Sequence, residues 1–208
     1  YKYNLGGGYK TSNGWEPLGL TGYYDTFGPE LSFAQILQGE DSGNIAIAKF
    51  THSGSQIIDW TPEGSMAKSR HIYPKFIGFI KEAVQELEAK GHEVELTGVF
   101  YHLGENDMSF HPYRKQAAER LEAIIAQSRK DLGRPALKWY VSQQPPTNDK
   151  SVNNIDVVAN VDMAAVADPT LIHLKAFNLP SQEKKLVIST AGIVELGEFI
   201  AKSYLGHQ

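Results

Sequence analysis

Apolar positions along this chain follow two rhythms that alternate from start to end. Short apolar or alternating runs bounded by glycine predict strands over residues 1–5, 44–51, 96–102, 136–142 and 171–174. Between them, apolar residues return at helical spacing. A first helix is predicted over 29–39, with Pro29 in its first turn, Leu31, Phe33, Ala34, Ile36 and Leu37 as its apolar residues, and Gly39 as its stop. A second spans 72–90 and carries Phe76, Phe79, Ile80, Ala83, Val84 and Leu87 on one stripe. Further helices are predicted over 111–130, with Ala117, Leu121, Ile124 and Ile125, over 152–166, and over 190–204, with Ile193, Leu196 and Ile200 inward. Strands alternating with helices of this length predict βαβ units, hence a parallel sheet covered on both faces. At 208 residues the chain suffices for one sizeable core, and a single domain is expected.

Composition narrows the function. Hydrophobic residues make up 41% and charged residues 21%, ordinary for a globular protein, and the net charge of −4 speaks against a nucleic-acid partner. The absence of cysteine excludes disulfides, thiolate metal sites and a cysteine nucleophile. No apolar run reaches the length of a membrane span, so no membrane partner is expected. The triple glycine at Gly6, Gly7 and Gly8 lacks the lysine and following helix of a phosphate loop. Residues 13–27 form a long loop whose Trp15, Tyr23 and Tyr24 serve either as a sugar platform or as packing over the core edge.

Sites in parallel sheets lie at the carboxyl ends of the strands, and two ends here carry unusual loops, 51–55 and 102–107. The stretch Gly104-Glu105-Asn106-Asp107 follows a buried-strand pattern and presents a carboxamide. An asparagine fixed there and the backbone of Gly54 on the other loop are donors suited to an oxyanion. The plainer reading makes Asn106 and Asp107 turn and cap residues. His52, His102, Glu105 and Asp107 are candidate substrate contacts; their spacing matches no compact zinc pattern, so neither a metal nor another cofactor is expected. Ser53 and Ser55 are conceivable nucleophiles with no evident base beside them.

Several short segments occur in an order that resembles a known family. Gly28-Pro29-Glu30-Leu31-Ser32-Phe33-Ala34, then 49–60 with its glycine turn and Trp60, then Gly104-Glu105-Asn106-Asp107, then Arg129-Lys130-Asp131-Leu132-Gly133 and Ser189-Thr190-Ala191-Gly192 are similar to the sialate O-acetylesterase-like carbohydrate esterases, within the SGNH (GDSL-like) hydrolases. The similarity runs over roughly 26–204. It implies a three-layer α/β/α flavodoxin-like fold with a mostly parallel sheet, and removal of acetyl groups from sugars. The expected partner is thus an acetylated carbohydrate or another small ester. Within the resemblance, Asn106 matches the oxyanion asparagine and Gly54 the second-block glycine, with Ser53 where a second glycine is common. Tyr101 and Leu103 depart from the tryptophan and glutamine usual before the third block.

The resemblance also implies a first-block serine after the family's first strand. Its counterpart is expected before Tyr1, so the fold of residues 1–208 is expected to lack that strand. Counting back from Gly192 puts the family's C-terminal aspartate at Lys184 and its histidine at Val187. Valine cannot accept a proton, and lysine cannot orient an imidazole as a carboxylate does. His173, five residues after Asp168, is the replacement base to consider. These departures predict an esterase-like domain that does not hydrolyse acetyl esters at a family-typical rate. The alternatives are a non-catalytic glycan- or protein-binding domain and a structural or assembly component.

Overall fold

The computed structural model describes residues 1–6, 10–21, 26–39, 44–109, 111–143, 155–176, 179–180 and 188–207. Two compact units emerge, one formed by Tyr1–Ser53 with Asn178–Gln208, the other by Gly54–Phe177. All pairings between the named strands are parallel, as the alternation of strands and helices requires.

In the first unit, strand β1 (Lys2–Gly6) pairs with β2 (Ala48–His52), with Tyr3 opposite Lys49 and Gly6 opposite His52. The register explains Gly6: a Cβ there would lie 2.9 Å from Thr51 O and 3.0 Å from the His52 ring. The chain returns beside β1, where Ser12 N–H donates to Tyr3 O at 2.9 Å. Helix α1 (Glu30–Gly39) buries Phe33, Ala34 and Leu37 and packs on the last helix of the chain, α7 (Thr190–Leu205). That approach is close because Gly197 has no side chain; a methyl there would overlap Ser32 Oγ and the Pro29 carbonyl. Ser189 caps α7 by accepting Gly192 N–H at 3.2 Å.

A charged network lies under α1. The Glu30 carboxylate, 8% exposed, accepts from Tyr1 Oη at 2.8 Å, Lys49 Nζ at 2.8 Å and Gly28 N–H at 3.2 Å. A methyl at Gly28 would meet the Glu30 carboxylate and Lys49 Nζ, so those side-chain ends would have to shift. Burial, then the charge of Glu30, pushes the Tyr1 phenol well above its ordinary range.

The second unit holds β3 (Gly98–Leu103), β4 (Lys138–Gln143) and β5 (Leu171–Leu174) in the order β3-β4-β5. β4 lies between the other two, and its Trp139, Tyr140, Val141, Ser142 and Gln143 are buried. Helix α2 (Tyr73–Glu88) sends Phe76 edge-on to Trp139 at 6.3 Å, and its buried set Tyr73, Phe76, Ile77, Ile80 and Ala83 keeps the helical repeat. Trp60 packs edge-on against both Phe76 and Tyr101 at 6.0 Å. Phe100 and Tyr140, register partners on β3 and β4, meet at 4.9 Å.

The structure corrects several boundaries. Residues 105–109, read as loop, form a helical turn, α3 (Glu105–Ser109). The helix expected over 111–130 is two helices, α4 (His111–Lys115) and α5 (Ala117–Asp131), with Gln116 at φ −95°, ψ 0° between them. The strand expected over 44–51 starts at Ala48, where its pairing with Lys2 begins. α6 (Ile155–Ala167) and β5 lie where the pattern puts them within a few residues. Among the described residues, no helix is long and apolar enough to cross a membrane.

Candidate functional site

The turn at Gly54 and the segment after β3 come together within the second unit. Gly54 sits at φ +68°, in the left-handed region that favours glycine, and nothing lies within 4 Å of where its Cβ would be. Immediately after it, a 3-10 helix spans Ile57–Trp60. Asn106, in α3, points its carboxamide back to this segment, and Nδ2 donates to Ser55 O at 3.3 Å. A carboxamide beside an exposed glycine turn has the donor chemistry that an oxyanion requires.

A closed circuit of hydrogen bonds holds the two parts in place. Asp107 is buried, and its carboxylate accepts Ile57 N–H with both oxygens, at 3.0 and 2.9 Å. Asp59 accepts Gln56 N–H at 2.9 Å, closing the start of the same 3-10 helix. Arg70 lies 3.2 Å from Asp59 Oδ2 and donates from Nη2 to the Gly54 carbonyl. Trp60 Nε1 donates to Ser55 Oγ at 3.0 Å. Beneath the circuit, the Tyr101 phenol is pushed far above its ordinary range by burial and then by the charges of Asp107 and Asp59.

The remaining candidates are distributed elsewhere. His102 Nδ1 lies 2.7 Å from the Oγ of Ser142, its register partner on β4. His52 belongs to the first unit, where Nδ1 is 3.2 Å from Ser53 O, and Ser53 is exposed. His173 Nδ1 pairs with Asp162 Oδ1 at 2.7 Å, and Asp162 Oδ2 also meets Lys175 Nζ at 3.0 Å. Asp168 is occupied by Arg129 and Thr170 instead, which hold its carboxyl below the usual range against the opposing effect of burial. Trp15 is half-buried. Tyr23, Tyr24, Lys184 and Val187 lie outside the described residues, as does the Glu105 side chain.

Sequence reasoning missed Arg70 and the clamping role of Asp59. Asp59, three residues after Gln56 at the start of a short helix, matches the spacing of a cap and was findable. Arg70 carries no such signal.

Comparison with known proteins follows the same lines. The family model described as carbohydrate esterase, sialic acid-specific acetylesterase, matches residues 10–206. A structure of an Arabidopsis thaliana protein is similar at 20% identity and TM-score 0.63, over 99% of this chain and 80% of that one. A carbohydrate acetylesterase from Xanthomonas citri is similar at 16% identity and TM-score 0.66, over 96% of this chain and 47% of that one, so this chain spans about half its length. At these identities the likeness is one of fold, and it agrees with the parallel α/β class. No curated protein matches the chain.

Proposed function

The chain belongs to the sialic acid-specific acetylesterase family of carbohydrate esterases, and from that premise we propose that it recognises the acetyl group of an acetylated sugar without hydrolysing it at a rate typical of the family. What carries this reading is the carboxamide of Asn106, the residue that the resemblance matches to the oxyanion asparagine, held 3.3 Å from Ser55 O beside the Gly54 turn. Lys184 and Val187, at the positions that counting back from Gly192 gives the family's aspartate and histidine, support loss of the proton-handling half. Asn106 and Gly54 are the recognition residues in this reading. His102 and the Glu105 position are substrate contacts in this reading. Asp107, with both oxygens on a backbone N–H, acts by positioning Asn106.

The purified chain tests this with an aryl acetate, acetylated sugars and a serine-reactive organophosphate. The expected result is saturable binding of the acetylated sugar, weakened in Asn106→Ala, with turnover well below about 1 s⁻¹. A preformed oxyanion hole alone leaves roughly 10³–10⁴-fold acceleration over water, so a faint rate agrees with the reading. Fast saturable turnover with one serine labelled refutes it. A second reading, a rebuilt hydrolase, draws on the 2.7 Å contact between Ser142 Oγ and His102 Nδ1, which is within nucleophile-to-base reach. Labelling at Ser142 establishes that alternative, and labelling at Ser53 or Ser55 directs the search for the base to His52, His102 and His173.

A further inference from the structure

We propose that Arg70 is the positioning residue that sets the geometry of the Gly54 turn, and with it the acetyl-binding half-site; the ligand part of this inference rests on the reading above. The Gly54 turn is exposed, and a left-handed glycine with open space around it has little local reason to keep one peptide orientation. Its carbonyl is held from sixteen residues away by Arg70 Nη2. Because the peptide unit is planar and trans, holding that carbonyl fixes the whole plane joining Gly54 to Ser55.

The other end of Arg70 is what makes the hold specific. The same Nη2 lies 3.2 Å from Asp59 Oδ2, and that carboxylate oxygen also takes Gln56 N–H. Asp59 is buried at 2% exposure and belongs to the 3-10 helix whose Ile57 N–H is gripped by Asp107. Asp107 neighbours Asn106, and Asn106 returns to Ser55 O. The circuit therefore runs from Gly54 through Arg70, Asp59, Ile57, Asp107 and Asn106 back to Ser55. Arg70 closes a second 3-10 helix, Lys68–Arg70, and its side chain is 40% exposed, so its loss opens the circuit at the turn while leaving the core clamp intact. A half-site works only if its donors are placed before the ligand arrives, so opening the circuit costs affinity even though Arg70 touches no ligand atom.

The test compares wild type, Arg70→Ala and Arg70→Lys by amide NMR, without ligand and in titrations with an O-acetylated monosaccharide. Arg70→Ala is expected to shift or broaden the Gly54 and Ser55 resonances while the Trp139 and Val141 amides of β4 stay in place. Its affinity for the sugar is expected to fall about tenfold or more, the scale of one hydrogen bond to a charged group. Arg70→Lys restores the Asp59 contact and part of the affinity. Unchanged Gly54 and Ser55 resonances in Arg70→Ala overturn the inference, as does sugar affinity equal to wild type. If wild type binds no acetylated sugar, the proposed function fails on its own. The ligand-free spectra still decide whether Arg70 orders the turn.

Discussion

Replacing Glu30 with alanine removes the centre of the network under α1. Three donors lose their acceptor: the Tyr1 phenol at 2.8 Å, the Lys49 ammonium at 2.8 Å and Gly28 N–H at 3.2 Å. Breaking a buried ion pair by deleting one partner costs about 3–5 kcal/mol. Lys49 keeps a side-chain exposure of 20%, so water recovers part of its solvation, and about 2–4 kcal/mol is the expected loss. For a chain of this size each kcal/mol lowers Tm by roughly 2–4 °C, so the shift is readily seen. Glu30→Gln keeps a neutral acceptor of the same shape and is expected to cost about half as much. The measurement is urea and thermal unfolding followed by far-UV circular dichroism, with Lys49→Met and the double variant completing a cycle. A coupling of about 1–3 kcal/mol is expected between the two positions. Glu30→Ala within about 0.5 kcal/mol of wild type, with Lys49→Met purely additive, refutes the view that this network holds α1 to β2.

Two further outcomes follow from buried groups. Asp107→Ala strips the acceptor from the buried Ile57 N–H and is expected to cost about 2–3 kcal/mol, with faster hydrogen exchange at Ile57 than at the β4 amides; equal exchange in the variant and wild type contradicts the clamp. Stability is expected to fall at both pH extremes. The Tyr101 and Tyr73 phenols, both raised first by burial, stay protonated when folded but ionise near pH 10 when unfolded, so their contribution is intact below about pH 10 and is lost as pH rises beyond it. The Asp168 carboxyl, lowered by Thr170 and Arg129 against burial, contributes above about pH 4 and loses that contribution as pH falls through its depressed folded value. Urea midpoints against pH, with Tyr73→Phe and Asp168→Asn as controls, check each limb, and a limb unchanged in its control assigns it elsewhere.

What the chain alone determined is local and periodic. The stripe of Phe76, Ile80 and Ala83 and the strands expected over 96–102 and 136–142, found at 98–103 and 138–143, were legible because burial of one helix face or one strand repeats every few residues. The family blocks were legible for a related reason, since Asn106 and Gly54 sit beside glycine and polar residues that break an apolar run. The turn α3 and the break at Gln116 were not, because short helical turns carry too few positions to show a period.

Tertiary structure alone decided how the Gly54 turn and the segment after β3 are held together. Asn106 reaches Ser55 across 51 residues, Asp107 reaches Ile57 across 50, and Arg70 reaches Gly54 across 16. Glu30 likewise meets Tyr1 and Lys49 only after β1, β2 and α1 have assembled. In sequence Asp107 reads as a turn or cap aspartate and Glu30 as part of a helix start, and Arg70 carries no signal. Their roles arise because a buried carboxylate must find donors and an open glycine turn must find a brace, and which groups answer is set by the packing of strands and helices that bring distant residues within 3 Å or so of one another.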